Sequence, residues 1–188
     1  AAPQPPEIVL TPSKTGGVTP CDIEEMMLVR YLLMFGGQEL YVEEREGKGY
    51  AVSVGEYIID ELVEDELLML NPLFREIQHE YRRHYKSEGF LPAKYFIGHP
   101  DPQISAMVAD ILSEPYELSK IWNVKDSSAR TEEMLLSELL PKIVDNYKMR
   151  RVEMMCLEAD EKILESQNAG NMEELLEWIK KKNTMIKV

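Results

Sequence analysis

Residues 147–179 read YKMRRVEMMCLEADEKILESQNAGNMEELLEWI, and this stretch decides the fold. Within it, Ala169-Gly170-Asn171 places a helix-ending glycine directly before an N-cap asparagine, and Glu174 completes a capping box. Helical periodicity continues on both sides of this turn almost without interruption. The sequence therefore predicts an αα-hairpin over residues 148–188.

A long helix predicted over residues 131–166 leads into this hairpin and carries an apolar seam. The seam consists of Leu136, Leu140, Ile143, Tyr147, Met154, Leu157 and Leu164. It is interrupted for one turn by Arg150 and Arg151, which indicates that the helix leaves one core there and enters another. We therefore expect a helical bundle over residues 20–147 that ends where the hairpin begins.

Further upstream, short motifs mark the ends of other elements. Helix starts are predicted at Thr19-Pro20, Ser53 with Glu56, Asn71-Pro72 and Asp101-Pro102. Two short apolar runs, residues 40–42 and 50–52, flank a glycine-containing turn and predict one β-hairpin. Residues 1–19 are rich in Pro and Gly and predict a disordered linker. The expected fold class is mainly α, a helical bundle with one small β-hairpin followed by a C-terminal αα-hairpin.

The amino-acid composition disfavours several classes of protein function. The 188 residues carry a net charge of -13, a balance that disfavours strong direct binding to nucleic acid. No apolar run reaches the roughly 20 residues of a membrane span. Cys21 and Cys156 are too far apart to suggest a zinc ribbon and fit a reducing cytoplasm. The chain begins at Ala1 and ends inside a helical pattern, so we expect it to be a piece of a longer protein.

Catalytic chemistry is not indicated. His79 and His84 resemble a zinc-binding HExxH motif but are five residues apart, so their rings diverge by roughly 140° around a helix. His99 precedes a helix start, where ordering that turn is the expected role. The acidic clusters are adjacent in sequence and should face solvent. We therefore expect no catalytic residues, no metal site, no cofactor and no small-molecule substrate in this chain.

The last helix presents two apolar faces. Met172, Leu175, Leu176, Ile179 and Ile186 form one stripe, which we expect to be the core of the hairpin. Outside this stripe lie Trp178 and Met185, beside Lys181 and Lys182. We expect these four residues to be a partner-binding anchor. The alternative is that Trp178 folds back onto the bundle or its own hairpin stem.

Three stretches carry a family resemblance. They are MLVRYLL at 27–33, NPLFREI at 71–77 and ISAMVADILSEPYEL at 104–118 running into Trp122. With the long helix and the terminal hairpin after them, the sequence from about residue 20 to 188 resembles the C-terminal, helicase-interacting region of bacterial DNA primase (DnaG type), in a Bacteroidetes-like version. The β-hairpin departs from the all-helical pattern of that family.

The resemblance implies a non-catalytic module that binds the N-terminal domain of the replicative DNA helicase and modulates the helicase. Its hairpin would supply the docking surface and bring RNA primer synthesis to the replication fork, as part of the primosome. Zinc and magnesium would belong only to the parent primase's other domains, which hold its nucleotidyltransferase activity. Two alternatives stay open from the residues alone, an acidic helical scaffold that self-associates and a magnesium-dependent helical enzyme.

Overall fold

The computed structural model describes residues 21–45, 47–113 and 132–185. In chain order, its elements are α1 Asp22–Phe35, β1 Glu39–Arg45, β2 Lys48–Ser53, α2 Val54–Glu64, α3 Pro72–His84, α4 Pro92–Ile97, α5 Pro102–Ser113, α6 Glu132–Ala169 and α7 Met172–Met185. The predicted fold class is confirmed, because helices dominate and the strands form one two-stranded antiparallel sheet. No helix in these ranges is long and apolar enough to cross a membrane.

α1 is the central helix of the bundle. It contacts α2, α3, α4, α5 and α6, so most of its circumference is covered. Leu28, Val29 and Leu32 have no exposed surface, and apolar residues on nearly every side of α1 are what a helix in this position requires. α1 begins at Asp22, and the side chain of its N-cap residue, Cys21, makes no capping hydrogen bond. The start predicted at Thr19-Pro20 lies outside the described residues.

The predicted β-hairpin pairs β1 with β2 in an antiparallel register, with Val42 opposite Ala51. Gly47 in the turn has a φ of +75°, a conformation that side chains with a Cβ rarely adopt. β2 leads directly into α2, where the Ser53 hydroxyl accepts a hydrogen bond from the Glu56 backbone N–H at 3.2 Å. The predicted helix start at Ser53 is therefore confirmed, and the sheet is attached to the bundle through α2.

The end of α1 and the start of α2 approach each other over the ring of Tyr81. The Gly55 backbone N–H donates to the Gly36 carbonyl at 3.0 Å. A Cβ added to Gly55 would lie only 2.0 Å from the Tyr81 hydroxyl oxygen. Glycine is therefore required at this crossing, and it allows Tyr81, which is 1% exposed, to anchor α3 against α1 and α2.

The other predicted helix starts are also observed. Asn71 caps α3, its side-chain oxygen accepting from the Leu73 backbone N–H at 3.0 Å. Asp101 accepts in the same way from the Gln103 backbone N–H at 2.8 Å at the start of α5. In α3, Phe74, Ile77 and Tyr81 share one face and are buried.

α6 is a single helix of 38 residues that extends beyond the bundle. Along it, the buried bundle core ends at Tyr147, and further on only Ala159 and Ser166 are buried among the described residues. The division into residues 20–147 and 148–188 stays a prediction. The linker predicted over residues 1–19 lies outside the described residues, as do residues 114–118 and Trp122.

Candidate partner-docking site

The turn between α6 and α7 contains the predicted helix-ending glycine and the N-cap asparagine that follows it. Gly170 has a φ of +70°, and the Asn171 backbone N–H donates to the Ser166 carbonyl at 3.0 Å. The Asn171 side-chain oxygen accepts from the Glu174 backbone N–H at 3.3 Å, and its amide group donates to the Glu174 carboxylate at 3.0 Å. These contacts end one helix and start the next within two residues, so α6 and α7 form an antiparallel hairpin.

α7 packs on α6 through one side. Its partly buried residues are Leu175, Trp178, Lys182 and Met185, which recur at helical spacing. Lys182 Nζ lies 2.5 Å and 2.7 Å from the two carboxylate oxygens of Asp160 on α6. On α6, the buried residues Ala159 and Ser166 are both small, which allows the bulkier side chains of α7 to approach closely.

The core predicted for the hairpin is wrong for three of its five residues. Met172 is 66% exposed, Leu176 is 50% exposed and Ile179 is 37% exposed. The physical reason is a competition between two apolar stripes, in which the stripe containing the larger Trp178 ring covers α6. Leu175 lies on the packing side as predicted, and Ile186 lies outside the described residues.

The predicted anchor residues are therefore less exposed than expected. Trp178, Met185 and Lys182 are partly buried on the packing side, whereas Lys181 is exposed and its ammonium lies 4.4 Å from the Trp178 ring centroid. This burial agrees with the alternative in which Trp178 leans on its own hairpin stem. A binding role for these four residues stays a prediction.

Five apolar side chains instead form an outward surface, which we call the hairpin face. It comprises Leu157, Leu164, Met172, Leu176 and Ile179, with exposed fractions of 65%, 58%, 66%, 50% and 37%. At about 100° per residue, the α6 members lie roughly 160° around the helix from Ala159 and Ser166, and the α7 members lie roughly 110° around from their packing side. Both rotations turn these side chains away from the contact between the two helices. The hairpin face is thus exposed apolar surface to which both helices contribute.

Two polar clusters hold α6 where it leaves the bundle. In the first, the buried carboxylate of Glu25 accepts from the Asn71 backbone N–H at 2.9 Å, the Tyr147 hydroxyl at 3.0 Å and the Leu70 backbone N–H. Arg151 extends this cluster by donating to the Tyr147 hydroxyl at 2.9 Å and to the Leu68 carbonyl. These bonds join α1, the α2–α3 loop and α6.

The second cluster lies at the adjacent position of α6. Lys148 Nζ is 2.6 Å from a carboxylate oxygen of Glu61 and 2.6 Å from one of Asp65. Both clusters engage α6 at residues 147–151, the turn at which the sequence predicted a change of core. Of the two arginines that interrupt the apolar seam, Arg151 therefore belongs to a polar fastening of α6 to the bundle, whereas Arg150 pairs with Glu153 on α6 itself.

Burial raises the pKa of the Glu25 carboxyl above its ordinary value of 4.5, although its hydrogen bonds with Leu70, Asn71 and Tyr147 act in the opposite direction. Because the pKa of this carboxyl is higher in the folded state than in the unfolded state, protonation of Glu25 favours folding. We expect the stability of the wild-type chain, relative to Glu25→Gln, to be greatest below pH 4.5 and to fall as the pH rises through the raised pKa. Urea unfolding of both proteins across this range tests the sign, and a difference that grows with pH would contradict it.

His99 and His84 hydrogen-bond to groups on neighbouring elements. His99 Nδ1 accepts from the Asp101 backbone N–H at 3.1 Å, and Nε2 lies 3.1 Å from a Glu80 carboxylate oxygen. The predicted role of His99 in ordering the turn is therefore confirmed. His84 Nε2 lies 3.4 Å from the Tyr95 hydroxyl. Within the described ranges, no group of three or more His, Cys, Asp or Glu side chains could hold a metal ion.

A family model described as a domain of unknown function, DUF8430, matches residues 11–188. The chain belongs to this family. The match includes both the bundle and the hairpin, so the hairpin face is part of the DUF8430 unit. No curated protein and no solved structure shows significant similarity to the chain.

The packing side of α7 leads to a prediction about Trp178. Truncating a fully buried Trp to Ala costs about 3–5 kcal/mol, and since Trp178 is only partly buried we expect Trp178→Ala to cost about 2 kcal/mol. The loss should appear as faster amide hydrogen exchange in α7 with the bundle unchanged. Met172→Ala, at a position 66% exposed, is the matched control and should have little effect. Equal effects of the two substitutions would show that Trp178 does not hold the hairpin together.

Proposed function

We propose that this chain is a non-catalytic C-terminal module of a bacterial DNA primase that binds the N-terminal domain of the replicative helicase. The observation that carries the proposal is the hairpin face, an apolar surface on a two-helix arm beyond the last bundle-core residue of α6, Tyr147. Large apolar side chains that are exposed together on one part of a protein are a feature of protein interaction sites. Docking through it would recruit RNA primer synthesis to the replication fork and allow the bundle to modulate the helicase.

The size of the hairpin face is consistent with specific binding. Complete burial of one large aliphatic side chain contributes about 1.5–3 kcal/mol. The five side chains are between 37% and 66% exposed, so their burial by a partner would contribute several kcal/mol in total. Part of this gain offsets the loss of freedom on association, which leaves a moderate affinity suited to reversible recruitment.

The distribution of charged residues along the chain supports a protein as the binding partner. Residues 145–188 contain eight basic and nine acidic side chains, whereas residues 1–144 contain 13 and 25. The hairpin is therefore nearly neutral within an acidic chain, and a protein surface can approach it without strong repulsion. The acidic bundle would repel a phosphate backbone.

Titration calorimetry of the chain against the N-terminal domain of its own organism's replicative helicase tests this function. We expect saturable binding with a defined stoichiometry. Sedimentation of the chain alone distinguishes the scaffold alternative, which requires a concentration-dependent dimer through the same face. Titration with Mg²⁺ distinguishes the enzyme alternative, which requires tight stoichiometric metal binding. Absence of helicase binding would contradict the proposal.

A further inference from the structure

The side chain of His99, in the turn between α4 and α5, contacts three elements of the bundle. Its Nδ1 accepts a hydrogen bond from the Asp101 backbone N–H at 3.1 Å, and its Nε2 lies 3.1 Å from a carboxylate oxygen of Glu80 on α3. The side chain is 8% exposed, and its ring lies roughly parallel to that of Phe96 on α4, with 6.3 Å between centroids. Both ring nitrogens of His99 therefore have partners within the packed protein.

These two contacts determine which nitrogen of His99 carries a proton. A backbone N–H donates only to a ring nitrogen without a proton, so Nδ1 is unprotonated and the neutral ring carries its proton on Nε2. Burial acts to raise the pKa of the partner, Glu80, but hydrogen bonds from His99 and Tyr95 outweigh it and hold that pKa below its ordinary value of 4.5. Glu80 therefore stays ionised over the range of about pH 5–8 in which histidines change charge.

A second proton on the His99 ring would have to bind Nδ1. The new N–H would then point at the Asp101 backbone N–H, 3.1 Å away, and two donors cannot share this contact. The contact on the other side of the ring would strengthen, because a charged imidazole binds a carboxylate more tightly than a neutral one does. The ring should therefore stay on Glu80, and the Asp101 backbone should be the part that moves.

The position of Asp101 determines how α5 begins. Its carboxylate accepts from the Gln103 backbone N–H at 2.8 Å, and its carbonyl accepts from the Ser105 backbone N–H at 3.1 Å. Asp101 is exposed, so its own N–H can bond to water once His99 releases it, and the movement costs little. Displacement of Asp101 would weaken both bonds and loosen the first turn of α5.

We propose that His99 is a pH-sensitive latch on the start of α5. The neutral ring holds the Asp101 turn closed, whereas the charged ring stays paired with Glu80 and releases that turn. Acid shifts the population toward the open turn because the closed turn does not accommodate the second ring proton. The latch is independent of the proposed helicase binding, since it concerns the α4–α5 turn and not the hairpin.

The charged and titratable groups around His99 come from α3, α4 and the start of α5. They are Glu80 on α3, Tyr95 on α4 and Asp101, with His84 and Arg83 of α3 one contact further away, beside Tyr95. His84 is another histidine, but its Nε2 lies 3.4 Å from the Tyr95 hydroxyl and is not bonded to Asp101. A variant at position 84 is therefore a matched control.

Solution NMR of the full chain between pH 8 and pH 5 tests the latch. At pH 8, the imidazole nitrogen shifts of His99 should report a proton on Nε2. As the ring gains its second proton, the amide signals of Asp101 and Gln103 should shift with it. Protection of the Ser105 amide, corrected for the pH dependence of exchange, should fall about tenfold, the scale of one hydrogen bond.

Three results of this titration would overturn the latch. The first is a proton on Nδ1 at pH 8, and the second is a His99 ring that stays neutral down to pH 5. The third is a set of Asp101 and Gln103 amide signals that keep their positions while His99 becomes charged.

Two variants distinguish the latch from a purely structural role of His99. In His99→Asn, the side-chain oxygen can accept from the backbone N–H two residues on, as in an Asx turn, but the side chain does not titrate. We expect the start of α5 in this variant to stay closed from pH 8 to pH 5. His84→Asn should keep the wild-type transition. A transition that persists in His99→Asn, or that disappears in His84→Asn, would contradict the proposal.

Discussion

The double variant Leu164→Asp, Leu176→Asp is expected to bind the helicase N-terminal domain at least 100-fold more weakly than the wild-type chain. The two side chains are 58% and 50% exposed, and they belong to the α6 and α7 halves of the hairpin face. In the complex, each Asp would place a charge in an apolar interface without a designed partner, which costs several kcal/mol. A 100-fold loss corresponds to about 2.7 kcal/mol, so even partial desolvation is sufficient.

Because both positions are exposed in the free chain, the double variant should fold. Its helical content and melting temperature are expected to stay close to those of the wild type. Leu91→Asp is the matched control, since Leu91 is 62% exposed but belongs to another part of the bundle surface. If Leu91→Asp weakens binding as much as the double variant does, general charge and not the hairpin face controls affinity.

Replacing Glu25 with Ala is expected to lower the free energy of unfolding by about 3 kcal/mol. The Glu25 side chain accepts hydrogen bonds from the backbone N–H groups of Leu70 and Asn71 and from the Tyr147 hydroxyl. In the Ala variant, these three donors lose their acceptor. Glu25 is fully buried in the wild-type chain, and each buried donor left without a partner costs about 1–3 kcal/mol. Relief of the desolvation of the charged carboxylate offsets part of this loss.

Denaturant unfolding measures the effect, and Glu76→Ala is a suitable control because Glu76 is an exposed helical glutamate. The control should change stability by no more than about 0.5 kcal/mol. Equal effects of the two substitutions would contradict a fastening role for Glu25. Hydrogen exchange of α6 should also increase around Tyr147 in the Glu25 variant, because that helix loses its buried anchor.

The local elements were predictable because their signals are local. Gly170 and Asn171 end one helix and start the next through contacts within a few residues, so their spacing is sufficient to predict the hairpin. Ser53 and Asn71 show the same relation between a short motif and a helix start. These motifs depend on backbone geometry that the sequence specifies within one or two turns.

The candidate site was less predictable because α7 has two apolar stripes. A helical wheel finds both stripes but cannot decide which one packs on α6. The outcome depends on small residues across the interface, Ala159 and Ser166, and on the ion pair between Lys182 and Asp160, 22 residues apart. The sequence therefore predicted the helical hairpin but assigned Met172, Leu176 and Ile179, which are exposed, to its interior.

The polar fastening of α6 was missed for a related reason. Nothing in the local sequence distinguishes Glu25 from other acidic residues at a helix start, where solvent exposure is usual. Its partners are 45, 46 and 122 residues away, at Leu70, Asn71 and Tyr147. No local motif joins such distant positions, so only the packed structure reveals that the carboxylate is buried.

Hydrogen exchange of the chain with and without the helicase N-terminal domain tests whether the hairpin is the docking arm, because it locates the docking surface without altering a residue. We expect the added protection to be concentrated in residues 149–167 of α6 and 172–183 of α7. The β-hairpin and α4 should exchange as they do in the free chain. Protection confined to the β-hairpin or α4, or no protection at saturating helicase domain, would contradict the assignment of the hairpin as the helicase-docking arm.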